Sequence, residues 1–95
     1  MDEVSVVHNP DKSRYELLVD GELHGLIDYV DRRGTFILTH TEVDPHLRNK
    51  GLGERLVHDT LADLRANDRA FVPTCPFIVA YVRRHRDEGS TAPST

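Results

Sequence analysis

The stretch Arg48-Asn49-Lys50-Gly51-Leu52-Gly53 combines residue types suited to holding a phosphate. Its pattern, Arg48-x-x-Gly51-x-Gly53, places glycines and cations where a helix is expected to begin. The first turn of a helix has unpaired N–H groups and a partial positive charge, and glycine lets an anion approach the backbone. Two other phosphate loops are excluded, since there is neither a Gly-Lys-Ser/Thr sequence nor a G-x-G-x-x-G in a first βαβ unit. Taken alone, two glycines in a loop also describe a plain turn and helix start. A second group of reactive types lies outside this loop. Cys75 is the only cysteine and directly precedes Pro76, a residue suited to the first position of a helix. Cys75 is therefore expected at the N-cap, where the helix dipole favours the nucleophilic thiolate. A small buried residue is the alternative reading of a lone cysteine. By strand alternation, Phe36, Leu38, His40 and Glu42 are expected on one face. His40 and Glu42 then have the spacing of a proton acceptor and the carboxylate that orients it. They also read as a solvent-facing polar pair.

The elements that must carry these residues follow from periodicity. Val4 to Val7 is a short strand signal closed by Asn9-Pro10-Asp11. Tyr15, Leu17 and Val19 alternate with Arg14, Glu16 and Leu18 as a half-buried strand does. Asp20-Gly21 supplies a hairpin turn, Leu23 to Tyr29 a third strand, and Arg33-Gly34 another turn. Thr35 to Val43 is the strongest strand signal. Leu52, Leu56, Val57, Leu61 and Leu64 then follow helical spacing from about Gly51 to Ala66. Phe71-Val72 suits a short buried strand, and Phe77 to Val82 continue a helix from Pro76 to about His85. The expected order is β-β-β-β-α-β-α, an α+β (mixed α/β) fold with a mostly antiparallel sheet. Residues 1–86 are expected to form one domain, and the Gly, Ser, Thr, Ala and Pro of 87–95 a disordered tail.

Composition narrows the function classes. The 95 residues are 38% hydrophobic, enough for one small core with little spare stability. No segment has the roughly 20 apolar residues that span a bilayer. The acidic start, Met1-Asp2-Glu3, leads into no hydrophobic stretch, so no signal peptide is expected. One cysteine cannot make an internal disulfide, and a cytoplasmic setting is expected. Twelve Lys and Arg stand against 16 Asp and Glu, a net charge of −4, unlike the basic field of a nucleic-acid binder. Local cationic patches at Arg48, Lys50 and Arg55 and at Arg83, Arg84 and Arg86 suit a small anionic ligand better than a polyanion. The remaining histidines show no i, i+4 pair and no cysteine at ligand spacing, so no metal is expected.

Thr39 to Gly53 resembles motif A of the GCN5-related N-acetyltransferases, whose consensus is Gln/Arg-x-x-Gly-x-Gly/Ala after a bulged strand. His40-Thr41-Glu42-Val43, the Arg48-x-x-Gly51 loop and Thr74-Cys75 before an aromatic helix more closely resemble the short YjdJ-type subgroup, which includes N-acetyltransferase domain-containing protein 1. The resemblance covers about Val4 to His85. It implies a reduced form of that fold, splayed between the fourth and fifth strands. It also implies acetyl-CoA as acetyl donor and transfer to an amine, small molecule or protein. The backbone of Glu42 and Val43 would meet the pantetheine arm, and Arg48, Asn49, Lys50, Gly51, Leu52 and Gly53 the diphosphate. Across the splay, Cys75 would face His40 beside the acetyl group, as a nucleophile or a positioning group.

One departure from the family pattern stands out. Larger members insert two helices between their first two strands, and those helices form much of the acceptor site. Here about five residues separate Val7 from the strand around Tyr15, too few for a stable helix. The acceptor groove is expected to be open. Tyr81 lies where such enzymes often have a tyrosine that protonates the departing thiolate, but its apolar neighbours suit a core position as well. A monomer without nucleic-acid or membrane partners is expected. The alternatives are a non-catalytic CoA-binding module and a protein-interaction module.

Overall fold

The computed structural model describes residues 3–85, without the side chains of Arg48 and Asn49. The expected tail, and Arg86 before it, lie outside the described residues. Five strands form one sheet in sequential order: β1 (Val4–Asn9), β2 (Arg14–Val19), β3 (Glu22–Arg32), β4 (Thr35–Val43) and β5 (Phe71–Pro73). The first four pair antiparallel, and β5 joins β4 in parallel. Two helices, α1 (Leu52–Ala66) and α2 (Pro76–Arg84), follow β4 and β5 respectively. The α+β fold and its element order are those the periodicity predicts.

The hairpin turns work as their residues require. Asp20 and Gly21 have φ of 53° and 84°, and Arg33 and Gly34 have 54° and 92°. Paired positive φ values match the twist of the flanking strands.

Both helices pack on one face of the sheet and share a single core. Leu56, Val57, Leu61 and Leu64 of α1 meet Tyr15, Leu17, Ile27, Tyr29, Phe36 and Leu38, while Ile78 and Tyr81 of α2 complete the cluster. Full burial of each such side chain contributes about 1.5–3 kcal/mol. The opposite face carries no helix among the described residues, and Val30 and Val72 are each 47% exposed. A single 3-10 turn over Pro10–Lys12 joins β1 to β2, with no α-helix between them.

One irregularity positions everything that follows. Asp28 faces His40 across the β3–β4 ladder, but Tyr29 faces Leu38. Thr39 is thus an extra residue in β4, a bulge. A bulge shifts the side-chain alternation by one. Phe36 and Leu38 point into the core before it, whereas Thr41 and Val43 point inward after it. His40 and Glu42 are exposed. The expectation that Phe36, Leu38, His40 and Glu42 share a face is therefore corrected, because strict alternation cannot anticipate an inserted residue.

Candidate active site

The pairing of β4 with β5 ends at Leu38 and Pro73. The Leu38 carbonyl accepts from both the Thr74 N–H (2.9 Å) and the Cys75 N–H (3.2 Å), and the Thr74 hydroxyl donates to it at 3.2 Å. Beyond this knot α2 begins, while β4 runs on to Val43. The two strands part there, leaving a cleft of about 540 Å³ lined by Thr41, Val43, Gly51, Gly53, Glu54 and Phe77. That volume is within the usual range for a small-molecule site.

The floor of the cleft at one end is the start of α1. A 3-10 turn over Pro45–Lys50 leads into Gly51, which has φ 74° and ψ 11° and serves as the N-cap. The Gly51 carbonyl accepts the Arg55 N–H at 3.0 Å, so the helix proper starts here. No side chain caps this helix. The amides of its first turn are therefore left for solvent or a ligand, where Ser, Thr, Asp or Asn would have satisfied them. Gly53 keeps the helix close to its neighbours, since a Cβ there would lie 3.2 Å from Phe77 Cζ and 3.7 Å from Val43 Cγ2. Leu52 is half-buried against the core, and Lys50 is exposed. The side chains of Arg48 and Asn49 lie outside the described residues.

Asp44 anchors the other end of the loop. Its carboxylate pairs with His24 Nδ1 at 3.1 Å and His46 Nδ1 at 3.0 Å, and Glu22 lies 3.5 Å from His24 Nε2. The bond to Asp44 is the main reason the His24 imidazole titrates above its ordinary value, with Glu22 adding to it against partial burial. Asp44 and His24 are 20 residues apart and meet where the chain leaves β4 beside the start of β3, so in-strand spacing could not reveal that pair. No group of three or more His, Cys, Asp or Glu able to hold a metal occurs among the described residues.

Cys75 is the N-cap of α2, as its place before Pro76 predicts. It is 7% exposed. Its Sγ lies 3.4 Å from Thr41 Oγ1 and donates to it as a thiol. Burial pushes the Cys75 thiol up. Hydrogen bonds from Thr41 and from the amides of Ile78, Phe77 and Thr41 outweigh it and bring the thiol below its ordinary value. His40 is not the partner of this sulfur among the described contacts. Its Nε2 pairs instead with Glu42 Oε2 at 2.9 Å on the exposed side of β4. The structure brings the two sequence-matched pairs together, the glycine loop with the strand and His40 with Glu42, but the Thr39 bulge sets Thr41 against Cys75. Tyr81 is a core residue, 6% exposed and stacked on His85 at 4.2 Å. Thr41 and Phe77 were not among the residues the sequence picks out for the site. Phe77 follows only from the aromatic pattern of the last helix, and Thr41 from no signal short of the bulge.

The arrangement can hold an anion at the start of α1, an extended chain along the free edge of β4, and a reactive carbonyl near a hydrogen-bonded thiol. No curated protein matches the chain. A solved structure that is similar is the ribosomal-protein-alanine N-acetyltransferase from Brucella melitensis biovar Abortus 2308, with TM-score 0.56 and 18% identity over 100% of this chain and 93% of that one. At that identity the likeness is one of fold. The sequence model of the family described as GCN5-related N-acetyl-transferase matches residues 14–90. The chain belongs to the GCN5-related N-acetyltransferase family.

Proposed function

We propose that the chain is an acetyl-CoA-dependent N-acetyltransferase of the short YjdJ-type subgroup, working in a reducing, cytoplasmic setting that keeps its thiol free. The observation that carries this reading is the cleft between β4 and α2, which runs from the uncapped N-terminus of α1 to Thr41, the hydrogen-bond partner of Cys75. The residues fit the donor. Gly51 and Gly53 expose first-turn amides to a diphosphate, with Lys50 and Arg48 supplying charge. The free edge of β4 at Glu42 and Val43 offers backbone groups to the amides of a pantetheine arm.

The Cys75 thiol releases its proton to water, the thiolate attacks the acetyl carbonyl, the C–S bond to CoA breaks, and the CoA thiolate leaves and takes up a proton from water. The acceptor amine then attacks the acetyl carbonyl on Cys75 and gives up a proton, releasing the amide and the free thiolate. His40, oriented by Glu42, takes the amine proton on the open side of the sheet. The amine reaches the carbonyl from the uncovered face, where the larger family members have their extra helices.

Three measurements test the proposal. Calorimetry with acetyl-CoA should show binding, and none at millimolar ligand would remove both the transferase and the CoA-module readings. Brief incubation with acetyl-CoA should add one acetyl mass to Cys75. Transfer to a panel of amines should fail in Cys75→Ala while CoA binding survives. Binding without any transfer by the wild type would instead make the chain a CoA-binding module.

A further inference from the structure

We propose that Thr41 is the positioning residue for Cys75, its side-chain hydroxyl exchanging roles from acceptor of the thiol proton to donor toward the thiolate. The proposal deepens the assignment of Cys75 and rests on it for its catalytic meaning. Three geometric facts lead to Thr41. The bulge at Thr39 turns Thr41 to the inner side of β4. Thr41 Oγ1 then lies 3.4 Å from Cys75 Sγ, although the two residues are 34 apart in the chain. Thr41 also lines the cleft, while Cys75 is 7% exposed. One residue thus borders the ligand space and holds the nucleophile.

A hydroxyl is suited to this place because its proton rotates freely and it both donates and accepts. In the resting thiol, S–H points to Thr41 Oγ1. When the proton leaves for water or a base, the O–H turns and donates to the thiolate, beside the amides of Phe77, Ile78 and Thr41 itself. Such charge-assisted bonds are stronger than neutral ones. No proton is transferred to Thr41 at any stage, so the balance of the reaction is unchanged. Valine has the same shape but can make neither bond.

The test uses the full chain and iodoacetamide as the probe. The rate of Cys75 alkylation is followed against pH for wild type, Thr41→Val, Thr41→Ser and Thr41→Ala. The midpoint of the profile is the readout, because rates at one pH mix thiolate fraction with intrinsic nucleophilicity. The midpoint should rise by about one unit in Thr41→Val and Thr41→Ala, a roughly tenfold smaller thiolate fraction at neutral pH, and return in Thr41→Ser. Titration of the Cys75 Cβ carbon shift by NMR gives the same midpoint if alkylation is slow, and Thr41→Ala serves if Thr41→Val does not fold. Equal midpoints in wild type and the folded hydroxyl-less variants would overturn the proposal. Full transfer activity in Cys75→Ala would overturn the nucleophile instead, and leave the thiol midpoint as a separate result.

Discussion

Glu54 in the first turn of α1 and Arg84 in the last turn of α2 are 30 residues apart, and Arg84 Nη2 donates to Glu54 Oε2 at 2.8 Å. The pair joins the two helices at the edge of the cleft. Both side chains are about half exposed, and such a pair contributes about 0–1 kcal/mol to stability. Its effect on ligand binding is larger. Glu54 lines the cleft beside the first-turn amides, so its carboxylate opposes any diphosphate held there, and it also occupies a guanidinium that would attract one. Glu54→Gln should raise CoA affinity by roughly three- to tenfold, or about 0.7–1.4 kcal/mol, with little change in Tm. Calorimetry at low and high salt checks it, since the gain should shrink as screening increases.

Gly51 occupies a left-handed conformation at φ 74°, with nothing within 4 Å of where a Cβ would stand. Steric room is present, so the cost of a side chain is conformational, about 1–2 kcal/mol. Gly51→Val should re-aim the first-turn amides and lower CoA affinity at least tenfold, a loss of about 1.4 kcal/mol or more. The protein should still melt cooperatively. Unchanged affinity in that folded variant places the phosphates elsewhere.

Thr60 is completely buried in α1, and its Oγ1 has no hydrogen-bond partner. An unpaired buried hydroxyl costs about 1–3 kcal/mol, and an apolar group of the same shape removes that cost. Thr60→Val should therefore raise Tm, against the usual direction of core substitutions, and leave CoA binding as it was. A lower Tm by calorimetric scan would show that the hydroxyl is satisfied.

Tyr15 donates its hydroxyl to Asp63 Oδ2 at 2.6 Å and ties β2 to the C-terminal part of α1. Burial first, then this bond and the Asp63 charge, push the Tyr15 phenol well above its ordinary value. The folded state keeps the phenol protonated, so its contribution is full below the ordinary tyrosine value and is lost as pH rises from there toward the raised one. Wild type should lose stability between about pH 10 and 12. Tyr15→Phe should be less stable at pH 7 by about 1.5–3 kcal/mol, the worth of a hydrogen bond to a charged group. Part of the alkaline loss should vanish in that variant. Urea melts at pH 7 and pH 11 make the comparison.

His24 titrates above its ordinary value, first because Asp44 accepts from its ring. The protonated form is favoured in the folded protein, so its contribution is present below the ordinary histidine value and fades as pH rises through the raised one. His24→Asn should therefore lower Tm near pH 5.5 and change it little near pH 8.5. Equal losses at both values would assign His24 a packing role only.

Much of this was legible in the chain. Alternation in Tyr15–Val19, the β-branched and aromatic content of Thr35–Val43, the Asp20-Gly21 and Arg33-Gly34 turns and the stripe from Leu52 to Leu64 are local signals, and each matches its element. So does the N-cap position of Cys75, because Pro76 and the helix after it are adjacent in sequence. Backbone conformation and side-chain period are decided within a few residues, so local sequence carries them. The partner of Cys75 was not local. One extra residue at Thr39 exchanged His40 for Thr41 on the inner face, and that insertion is defined only by the register against β3. The bonds of Asp44 to His24, Glu54 to Arg84 and Tyr15 to Asp63 likewise join separate elements. The first is set by the register of β3 against β4, and the other two exist only after the helices have packed on the sheet, because burial in the shared core, and not the sequence spacing of the polar residues, brings them together.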